Sequence, residues 1–256
     1  MARKLVVANQ KGGVGKSVTV HNLGAALAEQ GYRVLLIDLD PQGGLTASLG
    51  IDSFSVRRSA YSLLAHDQVS LARVVVHVGG TMALIPASID LASTEVILGT
   101  GRSVVFRLRQ ALAHSRIPFD FIVIDTPPGL GVLTANGLVA AQELVIPVQC
   151  QYLAMRGVRA LLGTVARVQR SLNPELRLLG ILGTMYRPDS PLAQEVMQEI
   201  RAVFPRETFR TVVYESEALA EAPIAGQSIL EYAPDDPAAR AYRALAQEIV
   251  HERQTR

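Results

Sequence analysis

Short apolar runs alternate along the chain with longer stretches in which apolar residues recur every three or four positions. The runs are Leu5–Ala8, Val34–Ile37, Met82–Ile85, Phe121–Ile124, Leu144–Val148 and Leu178–Leu182. Each is rich in Val, Ile and Leu and bounded by Gly, Pro, Asp or Asn, the signature of a buried strand. The stretches Ser17–Gln30, Ser103–His114, Arg156–Ser171 and Pro191–Phe204 read as helices, and a last amphipathic helix runs from about Pro237 to His251. Continuous apolar strands separated by helices predict an α/β fold, a mostly parallel twisted sheet with helices on both faces. Right-handed crossovers then bring the strand C-terminal ends to one edge, where ligands bind. Asp52–Gly80 is the least regular stretch and is expected to be a peripheral insertion.

Composition narrows this picture. A chain of 256 residues with 49% hydrophobic residues can bury a full core, and a single domain spanning 1–256 is expected. Lys and Arg number 25 against 23 Asp and Glu, a net charge of +2. That balance does not mark an obligate nucleic-acid binder, yet it leaves room for a local basic patch. The single cysteine, Cys150, excludes a disulfide framework or a cysteine cluster and is expected to be inert. The five histidines are scattered without metal-ligand spacing and read as surface or satisfied side chains. The N-terminal apolar run meets Gln10 and Lys11 too soon for a signal peptide or a membrane span, so a cytoplasmic location is expected.

The candidate chemistry sits where strands end. Gly12-Gly13-Val14-Gly15-Lys16-Ser17 follows a predicted strand and opens a predicted helix, the setting of a phosphate-binding loop. Glycines turn backbone N–H groups toward an anion, and the helix N-terminus adds partial positive charge. Lys16 is placed to reach the β- and γ-phosphates and Ser17 to offer its hydroxyl to Mg²⁺, with Val18 next in the helix. The motif is a variant: Lys11 stands where the usual pattern starts with glycine, so the loop carries two lysines. Asp38 and Asp40 close the second apolar run, and residues two apart share one side of a strand. Two carboxylates beside a triphosphate suit Mg²⁺ and water, whereas acids capping a following turn are the plainer alternative. Asp125 follows Phe121–Ile124 as an acid follows a Walker-B strand, placed to hold Mg²⁺ through a water.

With its second loop lysine the chain resembles the deviant Walker-A ATPases of the ParA/MinD group. The resemblance covers nearly the whole chain. It rests on "KGGVGKS", "DLDPQGG", "IPASIDLASTE", "VIPVQCQYLAMRGV", "GILGTMYRPDSPLAQEV" and "SEALAEAPIAGQSILEYAP", and it is greater to the chromosome and plasmid partition branch than to the septum-positioning branch. It implies ATP and Mg²⁺ as cofactors and an ATP-dependent homodimer in which Lys11 touches the partner's phosphates. It also implies that Asp38 stands one shell removed from Mg²⁺ and that Asp40 orients the attacking water. Met185 and Pro223 fall in the segments that flank the adenine. A ParB-like activating partner, non-specific DNA and a nucleoid-associated location are implied as well, and no membrane. The alternative is a ParA-like positioning switch that works on a protein scaffold. Several positions depart from the family pattern. Gly44 stands where many relatives have Asn, and two family acids become Gln151 and Arg156. The arginines that relatives use on DNA fall at Asp189, Glu215 and Ala218. Arg156, Arg159, Arg167 and Arg170 share one helix face around Gly163 and read either as a relocated DNA contact or as a solvated or interface face.

Overall fold

The computed structural model describes residues 2–66, 69–94, 97, 99, 101–115, 117–151 and 154–252. Glu95, Tyr152 and Leu153 of the family-like segments, and the last four residues of the tail, lie outside the described residues. Eight strands form one sheet: β1 Arg3–Val7, β2 Val34–Asp38, β3 Val76–Gly79, β4 Met82–Ile85, β5 Phe121–Asp125, β6 Glu143–Gln149, β7 Arg177–Tyr186 and β8 Thr208–Tyr214. Their spatial order is β3-β4-β2-β5-β1-β6-β7-β8. Every pairing is parallel except β3 with β4. The α/β reading therefore holds, with one antiparallel strand at an edge.

Strand alternation divides the core between the two faces of the sheet. Val6, Leu35, Ile37, Ile122 and Ile124 join one hydrophobic cluster; Leu5, Val7, Val34, Leu36 and Val123 join the other. The helix Lys16–Glu29 covers the second face together with the C-terminal helix Pro237–Glu252. It lies close because residue 24 is glycine: a Cβ there would come within 2.6 Å of Leu36 Cδ2. At the opposite end from the strand C-termini, the buried Glu143 carboxylate accepts from Arg3 Nε at 2.6 Å and from Arg177, locking β1, β6 and β7 in register.

Four expectations are corrected. The strands β3 and β8 are additional; both are edges, where exposed polar positions interrupt the apolar run. Asp52–Gly80 is not peripheral, because Leu63, Leu64, Leu71 and Val74 are buried in the core and β3 pairs with β4. A helix Val132–Ala140 also covers the first face; no amphipathic period marks it in the sequence, because Thr134 and Asn136 are buried along with its apolar residues. Finally, His21 is neither on the surface nor fully satisfied. It is buried on the first helix; Ser48 Oγ lies 3.1 Å from Nδ1, and Nε2 has no hydrogen-bond partner.

Burial pushes the His21 pKa down to about 4 from an ordinary 6.5, against the attraction of Glu231. Unfolded His21 gains a proton below about pH 6.5 and folded His21 only near pH 4. Stability therefore falls as pH drops through that window. The full effect is on the order of 3 kcal/mol. Asp38 shifts the opposite way in overlapping conditions, so the test is a difference. His21→Gln, neutral throughout, should lose less melting temperature than the parent between pH 6.5 and pH 4. Parallel pH curves for the two proteins would contradict this assignment.

Candidate functional site

The C-terminal ends of β1, β2, β5, β6 and β7 converge on one edge, and the candidate residues are carried there. The loop after β1 turns through two left-handed glycines, Gly13 at φ 71° and Gly15 at φ 82°. Only glycine reaches that conformation without strain. The turn is pinned from three sides. Asn9 donates to Pro147 O at 2.7 Å and accepts from Lys11 N at 3.0 Å, and Thr184 Oγ1 donates to Val14 O at 3.0 Å. Lys16 is 6% exposed, and its ammonium donates to Lys11 O at 3.3 Å across the loop. Burial lowers its pKa, while Asp125 and Asp40 oppose the shift.

Strand register sets the acids. Asp38 is paired with Asp125 across β2 and β5, and both are fully buried. Burial raises both pKa values, that of Asp38 to about 6. Asp38 is completely engaged: Oδ1 accepts from Asp40 N at 3.0 Å, and Oδ2 accepts from Thr46 N at 2.9 Å and Thr46 Oγ1 at 2.7 Å. Thr46 Oγ1 in turn accepts from Ala87 N at 2.9 Å. Asp38 is thus an organiser of the segment after β2, with both carboxylate oxygens engaged by the protein itself. Asp125 differs. Its Oδ1 accepts from Thr126 N at 2.9 Å, but Oδ2 has no hydrogen-bond partner. After burial, the repulsion of Asp38 raises its pKa, and the Ser17 hydroxyl and Lys16 draw it back. Asp40 departs from the expected strand alternation. The strand ends at Asp38, and Asp40 opens a turn in which its Oδ1 accepts from Gln42 N at 2.9 Å.

These groups fit Mg²⁺. Among the described residues no three His, Cys, Asp or Glu side chains converge into a complete metal cage. What exists is an orphaned carboxylate oxygen beside a hydroxyl and a phosphate-type loop, a partial oxygen set of the kind Mg²⁺ completes with phosphate and water. Gly44 leaves space here: a Cβ at that position would lie 3.4 Å from Ser17 Oγ.

Lys11 is exposed, and its ammonium donates to Gln149 Oε1 at 3.1 Å and Gln151 Oε1 at 3.4 Å. Neutral amides hold it, so it can leave without abandoning an ion pair.

The AAA domain family profile matches residues 2–178. The chain is 44% identical over 248 residues to the chromosome-partitioning ATPase Soj of Thermus thermophilus, covering 97% of this chain and 95% of that one. It belongs to the ParA/MinD family of P-loop ATPases. The sporulation initiation inhibitor protein Soj of Bacillus subtilis is 41% identical, with 97% and 98% covered. Among solved structures, a Mycobacterium smegmatis cobyrinic acid a,c-diamide synthase with bound ATP analog and magnesium superposes at TM-score 0.88. It is 39% identical and covers 100% of this chain and 96% of that one. The septum site-determining protein MinD of Pyrococcus horikoshii, at 23% identity and TM-score 0.77, shares the fold; 97% of this chain and 96% of that one are covered.

In this ParA/MinD-family chain a cleft of about 1300 Å³ runs on from the loop, lined by Gly15, Val18, Thr184, Met185, Tyr214 and Arg240 among others. Met185 has φ 49°, the one positive value among the described non-glycine residues, a strained backbone of the kind found at ligand sites. Val18 and Met185 therefore share the cleft. Pro223 is not among its lining residues; it belongs to a short turn, Ala222–Ala225, beside the helix Gly44–Ser48. The four arginines lie on the helix Ala154–Ser171, away from the loop's interior and exposed.

Sequence reasoning missed Thr46, Asn9 and Gln149, and it placed the Thr184–Tyr186 segment beside the adenine without its bond from Thr184 to the loop. Their signal was weak: short polar residues next to a glycine turn or at a strand end, with no motif of their own.

Lys16→Ala removes the buried cation facing the orphaned carboxylate. Tight ATP binding should be lost by titration calorimetry, and an unchanged affinity would refute the loop assignment.

Proposed function

We propose that the protein is an ATP-dependent dimerising ATPase of the partition type. The carrying observation is the site itself, a buried Lys16 and a second, loosely held Lys11 on one loop, opposite an Asp125 oxygen that nothing satisfies. ATP is the substrate and Mg²⁺ the cofactor, as in the similar synthase structure with ATP analog and magnesium. The residues that would hold the metal are Ser17 and Asp125, with Asp38 behind them. Bound there, Mg²⁺ supplies charge neutralisation to phosphate oxygens.

The chain's own groups account for the rest. Gly12, Gly13, Val14 and Gly15 present backbone N–H groups to the phosphates. Lys16 neutralises the transferring phosphoryl group from within the loop. Lys11 leaves Gln149 and Gln151 and reaches the phosphates of a second subunit, so that the dimer forms only around ATP. A cation in trans then stabilises transition-state charge as an arginine finger does. Asp40, at the first position of a turn beside the phosphates, orients the attacking water. Met185 and Pro223 flank the adenine in this reading, Met185 from the cleft and Pro223 from the turn opposite.

Hydrolysis is slow until a ParB-like partner engages the dimer, and the ATP state holds non-specific DNA. The protein then works in the cytoplasm, on the nucleoid, in chromosome or plasmid partition. Relatives named as chromosome-partitioning ATPases support this, and no described helix is long and apolar enough to cross a membrane. ATP turnover without a carboxylic-acid substrate or amide donor distinguishes the reading from amide synthesis. Should ATP turnover and dimerisation occur without DNA binding, the scaffold-based positioning switch replaces it.

Lys11→Ala should bind ATP yet stay monomeric in sedimentation, with turnover down on the order of 10³-fold, the low end of finger effects. An ATP-dependent dimer of normal turnover would refute the trans role. Asp40→Ala should accumulate the ATP-bound dimer with turnover reduced roughly 10²-fold or more. Turnover equal to the parent's would remove Asp40 from the mechanism.

A further inference from the structure

The helix Ala154–Ser171 contains four arginines and no acid, in a chain whose opposite charges otherwise nearly balance. Met155, Val158, Leu161, Val165 and Val168 are buried against the sheet and neighbouring helices. That packing turns Arg156, Arg159, Arg167 and Arg170 outward within one arc of the helix, and all four are exposed. None forms an ion pair among the described residues. Arg167 Nη2 donates to Thr164 Oγ1 at 2.8 Å, which steadies the guanidinium without neutralising it. The adjacent helix Pro191–Val203 carries exposed acids, Glu195 and Glu199, and neither pairs with the stripe.

Gly163 lies between the two arginine pairs. It is exposed, has an ordinary helical conformation and would meet nothing within 4 Å if it carried a Cβ. Neither packing nor backbone geometry requires glycine there, and a mid-helix glycine costs up to about 1 kcal/mol against alanine. Its effect is a flat gap in the middle of the stripe, where a large partner can approach the helix closely.

We propose that this arginine face is the surface on which the ATP-bound protein holds duplex DNA by its phosphates, a proposal that rests on the DNA-binding reading above. From Arg156 to Arg170 the stripe spans about 21 Å at 1.5 Å per residue. Duplex DNA carries one charge per ~1.7 Å of axis, so it matches a row of cations of that length with no sequence requirement. The charge elsewhere argues for the same face. Arg187, in the cleft wall, lies 3.2 Å from Asp189 and 3.7 Å from Glu215, so its own charge is offset by those two neighbours. The stripe also begins at the nucleotide site. Gly157, in its first turn, would place a Cβ 4.0 Å from Asn9 Oδ1, the atom that accepts from Lys11 N. Dimerisation around ATP doubles the four arginines to eight, which makes DNA affinity nucleotide-dependent.

The test uses the full chain with ATP or ADP and a random-sequence DNA duplex across a salt series. Removing one cation from the phosphates should lower the log–log salt slope by roughly 0.9. Arg167→Glu with Arg170→Glu removes four cations from a dimer and therefore about 3.6 from its slope. Arg167→Lys with Arg170→Lys should keep most of the slope, because phosphate neutralisation needs only the charge. Melting temperature and ATP affinity report that the variants are folded. If the parent binds DNA with ATP and the double-Glu variant binds with an undiminished slope, the stripe is not the DNA surface and the functional reading stands. The stripe is equally excluded if the variant loses only its response to an activating protein. If the parent binds no duplex in either nucleotide state at moderate salt, the DNA-binding reading itself fails.

Discussion

Two carboxylates, Asp38 and Asp125, are held in register at the ends of adjacent parallel strands with no exposure to water. Burial resists their ionisation, and like charge adds to it, from Asp38 on Asp125 and from Asp40 on Asp38. Both pKa values are raised accordingly. Among the described residues the buried cation beside them is Lys16, and Asp40 adds a third acid to the same field. The site is therefore short of positive charge by construction. Backbone and Thr46 hydrogen bonds relieve Asp38, whereas Asp125 Oδ2 has no hydrogen-bond partner and only the nearby Ser17 hydroxyl and Lys16 offset its carboxylate. A protein that leaves a buried carboxylate oxygen unsatisfied carries a free-energy cost that a bound cation removes. That deficit links the metal, the phosphates and the fold: the ligand completes what the sheet leaves open.

The same constraint explains how the segment after β2 reports on the site. Asp38 reaches Thr46 on the helix Gly44–Ser48, and Thr46 reaches Ala87 after β4. Charge at the strand ends is thus joined by two hydrogen bonds to a helix on which Ser48 meets His21. On the other side of the loop the holding contacts are weaker. Lys11 has amide oxygens and no carboxylate. Its ammonium bonds only neutral acceptors at an exposed site, and a phosphate adds the opposite charge that those amides lack. A firmly anchored acid pair and a loosely anchored lysine suit one site with a fixed half and a mobile half.

Much of this was legible in the chain because central parallel strands are apolar throughout. The runs at Val34, Met82 and Phe121 begin where the strands begin, and the glycine loop and Asp125 follow strands as their motifs require. The edges β3 and β8 were not legible: one side of an edge strand faces solvent, so polar residues such as His77 and Arg210 break the pattern. The irregular stretch from Asp52 hid core residues because its elements are short, and a few buried side chains per element set no period. At the site, motif residues were readable and their supports were not. Thr46, Asn9 and Thr184 act through contacts to residues far away in sequence, 41, 138 and 170 positions apart. Asp40 was assigned to the strand's alternation, but the strand stops two residues earlier, once its carboxylate partner Asp38 begins to cap the following turn.

A net charge of +2 therefore describes neither the phosphate-loop site nor the arginine helix. At the phosphate loop one buried lysine faces three acids, whereas the helix Ala154–Ser171 carries four exposed arginines and no acid. Two arginines elsewhere are offset: Arg187 by Asp189 and Glu215, and Arg243 on the C-terminal helix by Glu29 at 2.7 Å. Exposed pairs of this kind add little stability, so their main consequence is electrostatic, since they erase local fields that would attract polyanions. What remains unpaired on the arginine helix then gains by contrast. A polyanion approaching a nearly neutral molecule is guided by the uncompensated patch, because charges more than about 10 Å away are screened at ordinary salt. Asn9 joins the two regions: it accepts from Lys11 N, and Gly157 in the first turn of the arginine helix lies against its side chain.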